Sequence, residues 1–225
     1  MGLTGAQRPG ILLVGGSRWS TALAEAIRRT ETPVLIADRN RGHLRPARAA
    51  GIPTFFGDIL SELAEQHVEY ASYKRLVCLS DNDAYNTLVA TDLGPELGRD
   101  NVFQLRRENE ESTRNSLPAS LGGRDFAQGM SYDELASRYR EGWEFRVTKL
   151  TETYGIDEFK AARPDAVIIT VVYPKGELRF PKKGTDITGG EGAQIVHFSP
   201  PKGDQPDSGN ADLTPNAPGA ADDNR

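Results

Sequence analysis

Between residues 11 and 105, short unbroken apolar runs alternate with amphipathic stretches, and that alternation constrains the fold more than any other feature. The runs "ILLVG" (11–15), "PVLIAD" (33–38), "PTFFGD" (53–58), "RLVCLS" (75–80) and "NVFQL" (101–105) read as buried strands. Helical patterns over 20–30, 41–51, 61–68 and 83–97 lie between them. Strands apolar on both faces belong to a parallel sheet with helices packed on each side. Right-handed crossovers then predict the α/β class: a Rossmann-like doubly wound parallel sheet over residues 10–106.

The remainder has a different character. Residues 107–124 have the polar composition of a linker. Residues 125–202 predict a small α+β module, with a helix over 131–141 and antiparallel strands at 143–151, 166–174, 177–180 and 193–200. From 203 to 225 the chain is rich in Pro, Gly, Asp, Asn and Ala, which predicts a disordered acidic tail. That tail holds five Asp and one Arg, so most of the formal net charge of -5 sits there and the rest is nearly neutral. Without a basic patch, nucleic acid is not an expected partner. No run approaches the ~20 apolar residues of a membrane span, and no signal-peptide core opens the chain. A soluble chain in a reducing, cytoplasmic setting is the expectation, and the single cysteine, Cys78, fits it as a buried apolar residue.

The first strand–helix turn carries the chemistry. A dinucleotide fingerprint is Gly-x-Gly-x-x-Gly, and here Gly15-Gly16-Ser17-Arg18-Trp19-Ser20 stands in its place. Gly15 makes the tight turn. Ser17 replaces the glycine that admits a pyrophosphate, and Ser20 replaces the one that allows close helix packing. The helix start is a seat for phosphate, with Arg18 within reach of one. Trp19 reads as a packing anchor. Asp38 ends the second strand, where an acid grips ribose hydroxyls, and the adjacent Arg39 suits a 2′-phosphate. Gly57 and Asp58 follow the third strand, and Ser80 and Asp81 follow the fourth, at the edge where such sheets bind ligands. Asn82 and its neighbours also form a helix cap.

Catalytic and metal motifs are lacking. Tyr70 and Lys74 have the Tyr-x-x-x-Lys spacing of short-chain dehydrogenases, but precede the fourth strand and read as a helix end. His43, His67 and His197 are scattered, without partners at metal-ligand spacing. No nucleophile elbow occurs. These absences point to a sensor and not an enzyme. Two alternatives stand beside it. One is a soluble NAD(P)-dependent oxidoreductase drawing a proton donor from Tyr132, Tyr139 or Tyr154. The other is a degenerate Rossmann dimerisation or docking module that binds no nucleotide.

Taken in order, "ILLVGGSRWSTALAEAI", "LIADRNRGHLRPARAAGIPTFFGDILSE" and "LVCLSDNDAYNTLVA" resemble the RCK (TrkA-N-like) regulatory domain. They resemble in particular the version attached to bacterial sodium/proton antiporters, where an Asn-Arg-Trp-like segment replaces the second glycine. The likeness spans about 11–106, with a weaker continuation from Trp143 to Phe198. It implies a nucleotide-sensing domain on the cytoplasmic face of the inner membrane, controlling the transport domain of a cation (sodium or potassium)/proton antiporter as a homodimer. The implied ligand is NAD(H) or another adenine nucleotide such as AMP. The implied contacts are Gly15, Gly16, Ser17 and Arg18 at phosphate, Asp38 and Arg39 at the ribose, and Gly57, Asp58, Ser80 and Asp81 at the base or ribose side.

Overall fold

A computed structural model of the chain describes residues 9–107, 121–181 and 187–201. The predicted tail and most of the predicted linker lie outside the described residues.

The apolar runs form parallel strands β1 (Gly10–Val14), β2 (Val34–Asp38), β3 (Thr54–Phe56), β4 (Tyr73–Cys78) and β5 (Val102–Gln104). A sixth strand, β6 (Arg124–Asp125), pairs with β5 and completes the order β3-β2-β1-β4-β5-β6. The fold class is as the sequence predicts: a Rossmann-like sheet that reverses strand order between β1 and β4. Alternate side chains of the strands supply two cores, as the pleat requires. Ile11, Leu13, Ile36, Val77 and Phe103 face one side, where α1 (Arg18–Arg28) and α2 (Arg45–Ala49) pack. Leu12, Val14, Leu35, Leu76 and Cys78 face the other, covered by α3 (Glu62–His67) and α4 (Asp83–Leu97).

Two local expectations are corrected. The helix predicted over 41–51 is only the five residues of α2. Asn40 accepts the Gly42 N–H (2.8 Å) in a side-chain turn, and Pro46, lacking an N–H, suits only the first turn of the helix that follows. Tyr70 and Lys74 do not end a helix either. Tyr70 lies in a 3-10 turn (Tyr70–Ser72) and donates to the Ile59 carbonyl (2.6 Å), while Lys74 is within β4.

The second module is built from α5 (Tyr132–Arg140), β7 (Glu144–Lys149), α6 (Ile156–Ala162), β8 (Val167–Val172), β9 (Leu178–Arg179) and β10 (Gln194–Ser199). Its antiparallel sheet has the order β7-β10-β8-β9. The alternating pattern of β7 puts Phe145 and Val147 into the same core as α1. Trp19 is buried there, edge-on to Tyr132 with ring centroids 5.6 Å apart, and Phe103 stacks on Phe180 at 4.5 Å. One apolar core therefore joins the two sheets, with α1 between them. The far side of the small sheet is closed by Phe159 of α6.

Candidate functional site

The carboxyl ends of β1, β2 and β4 surround a cleft of about 190 Å³ at the point where strand order reverses. Gly15, Asp38, Arg39, Ser80 and Asp81, all singled out in the sequence, line it. So do Asn40, His43 and Tyr85, which the sequence did not mark as ligand residues.

Three locks shape the cleft. The first is backbone proximity. Gly15 has φ +120°, and a Cβ on it would lie 2.5 Å from the Ser80 nitrogen. Only glycine lets the β1–α1 turn pass so close to the β4–α4 turn. The second is Asp38. Its Oδ2 accepts the Gly16 N–H (2.6 Å), its Oδ1 accepts the Asn40 N–H (2.6 Å), and His43 Nδ1 lies 3.3 Å from Oδ2. A carboxylate has about four acceptor positions, so Asp38 ties the turn to the β2–α2 loop and keeps capacity for a hydroxyl donor. The third is Asn86 of α4, fully buried. It accepts the Ser80 N–H (3.1 Å) and hydroxyl (2.7 Å) and donates to the Ser80 carbonyl (2.8 Å). Ser80 is therefore fixed before any ligand arrives. Asn82 caps α4 by accepting the Tyr85 N–H (2.9 Å).

Asp58 joins the rim indirectly. The Tyr85 hydroxyl donates to Asp58 Oδ1 (2.8 Å), and the Arg39 guanidinium lies 3.8 Å from Asp58 Oδ2 and 4.1 Å from the centre of the Tyr85 ring. Burial, then the Asp58 hydrogen bond and charge, pushes the Tyr85 phenol up, so it stays protonated as a donor. Gly57 donates its N–H to the Asp38 carbonyl (3.1 Å), which brings the β3 end against β2.

Gly16, Ser17 and Arg18 stand beside the cleft and do not line it. Gly16 is buried, and a Cβ on it would lie 2.9 Å from the His43 carbonyl, so the β2–α2 loop covers the turn on that side. Ser17 is the cap of α1, its Oγ accepting the Ser20 N–H (2.9 Å). Arg18 is exposed. The N–H groups of Arg18 and Trp19 are those a helix start leaves without intrahelical acceptors, and no acidic residue occupies that first turn. The site thus has an acid-rimmed pocket on one side and an unshielded helix start on the other. Among the described residues no group of three or more His, Cys, Asp or Glu is arranged to hold a metal ion. Nor is any helix among them long and apolar enough to cross a membrane.

No curated protein matches the chain in sequence. Among solved structures it is similar to the GsuK channel bound to NAD, at 14% identity over 87% of this chain and 37% of that one, with a TM-score of 0.45. It is similar to the GsuK RCK domain at 15% identity, over 87% of this chain and 44% of that one, with a TM-score of 0.44. A weaker likeness, at 11% identity and a TM-score of 0.32, is to N5-carboxyaminoimidazole ribonucleotide synthetase from Thermotoga maritima, over 85% of this chain and 46% of that one. The chain spans less than half the length of each. Residues 11–112, a little under half of the chain, match the family model of the TrkA-N domain, and the described residues of this segment form the Rossmann-like parallel strands β1 to β5.

Proposed function

We propose that the chain is a cytoplasmic regulatory domain of RCK type, which senses an adenine nucleotide and controls a membrane cation/proton antiporter. The observation that carries this reading is the cleft at the strand-order reversal, where Asp38, Ser80 and Asp81 converge beside a free helix start. On this reading Asp38 and Asp81 accept ribose hydroxyls, the Tyr85 and Arg39 side receives the base or ribose edge, and phosphate lies toward Ser17, Arg18 and Trp19. A volume of about 190 Å³ is small beside the ~300–1,000 Å³ of usual ligand pockets. That favours one nucleoside unit inside, as in AMP or the adenosine half of NAD(H), with phosphates outside.

A sensing role fits better than hydride transfer. None of Tyr132, Tyr139 and Tyr154, the proton donors an oxidoreductase would draw on, lines the cleft. Tyr132 instead packs on Trp19 in the shared core. A ligand acts on a partner only through the difference in its affinity for two arrangements, typically about 1–3 kcal/mol. A homodimer in which the cleft rims shift supplies those arrangements.

The test is thermal unfolding and calorimetry with NAD⁺, NADH, NADP⁺, AMP, ADP and ATP. A ligand at 100 times its Kd stabilises the fold by about 2.7 kcal/mol. Asp81→Arg, at an exposed rim position, should abolish that shift without unfolding the chain. No shift with any of the six overturns the nucleotide reading. A sedimentation experiment with and without the best ligand tests the dimer.

A further inference from the structure

A second cleft, of about 440 Å³, lies at the seam between the two sheets, away from the nucleotide cleft and near the amino-terminal half of β4. Arg75 of β4 and Arg124 of β6 line one wall, and Arg179 of β9 the other. Phe103 and Phe180, stacked on each other, form its floor. Two of the three guanidiniums have carboxylate partners: Arg124 lies 3.3 Å from Asp100, and Arg179 lies 3.6 Å from Glu177.

Arg75 does not. Its Nη1 donates to the Lys74 carbonyl (3.0 Å) and its Nη2 to the Leu178 carbonyl (3.1 Å), and no carboxylate among the described residues lies within 4.0 Å. Burial, the largest effect, disfavours its charge; the Glu177 carboxylate, next in size, favours it, and Arg124 disfavours it. An arginine keeps its charge in proteins, and this half-buried guanidinium feels the Glu177 carboxylate across the cleft but forms no ion pair among the described residues, so it keeps donors for the oxygens of an anion. Carboxylate and phosphate oxygens match its planar fork.

We propose that this seam is a second ligand site, for a small phosphate- or carboxylate-bearing molecule whose anionic group meets Arg75 and Arg124 and whose body lies along Phe103 and Phe180. Such a ligand touches the parallel sheet through β4 and β6 and the small module through β9, so it ties the two together. The site is independent of the nucleotide reading.

Calorimetry of the full chain at low ionic strength, with pyrophosphate and with citrate, tests the assignment. Binding of at least one is expected, and the preferred anion separates a phosphate from a carboxylate ligand. Arg124→Gln and Arg75→Gln should each weaken it about tenfold or more, the loss of one charge-assisted contact. Arg124 lies at the sheet edge, so its variant serves even if Arg75→Gln fails to fold. No heat with either anion at millimolar concentration overturns the proposal. So does binding that survives Arg124→Gln but is lost in Arg39→Ala, which would put the anion in the nucleotide cleft.

Discussion

The two sheets treat their polar residues in opposite ways. In the parallel sheet every strand runs in the same direction, so the polar turns after β1, β2, β3 and β4 collect at one edge. Asp38, Ser80 and Asp81 there are arranged around open space. In the antiparallel sheet, His197, Thr148, Thr170 and Ser199 are turned inward and hydrogen-bonded within the module. His197 is fully buried, with Nε2 3.0 Å from the Thr148 hydroxyl and Nδ1 2.5 Å from the Ser199 hydroxyl. Thr170, also buried, donates to the Arg179 carbonyl (3.1 Å). Polar residues held open are available to a ligand, whereas polar residues closed on each other hold the module together.

Substitutions bear on this contrast to different degrees. The largest effect should come from Phe198→Ala, which empties a fully buried site stacked on Phe145 at 4.5 Å. A loss of about 3–5 kcal/mol is expected in urea unfolding. Because Phe198 lies in the core shared with α1, the transition should stay single, and two separate transitions would divide what the shared core is said to unite. Gly15→Ala combines a left-handed backbone with a contact to rigid backbone, for a cost of about 3 kcal/mol. An unchanged urea midpoint would contradict the close passage of the two turns.

The buried imidazole comes next. Burial, helped by Arg163 and Arg146, lowers the His197 pKa to about 3, below the ~6.5 of an unfolded histidine. The unfolded chain therefore takes up this proton first as pH falls. The resulting stability is complete above pH ~6.5 and declines toward pH ~3, by about 3 kcal/mol at pH 4.5. His197→Gln should flatten that part of the profile; a slope identical to wild type would assign it elsewhere. Asn86→Ala should cost about 2 kcal/mol by leaving half-buried groups at Ser80 unpaired, and should weaken nucleotide binding as well. At the smallest end, Leu88→Ser, at a side chain 56% exposed, should stay within about 0.5 kcal/mol.

The parallel strands were readable in the sequence because burial on both faces writes them as apolar runs such as Leu12-Leu13-Val14. β6 was not, since Arg124 and Asp125 join the sheet by backbone pairing and carry no apolar pattern. The lining roles of Gly15 and Asp38 followed from their places at strand ends. Those of His43 and Asn40 depend on the fold of a loop, and that of Tyr85 on how α4 approaches β2, which no local spacing encodes. The Asn86 lock had a faint signal in a polar residue one turn inside a helix that Asn82 already caps.

Cys78 lies fully buried at the end of the central strand β4, between Val14 of β1 and Gln104 of β5. Burial alone pushes its thiol up, so it resists alkylation while the sheet is closed. As the chain's only cysteine, it makes the rate of thiol labelling a clock for opening events at the sheet centre. A ligand that bridges the turns after β1 and β4 should slow that clock, and a mixture of ligands could be ranked by it without knowing any of their absorbances.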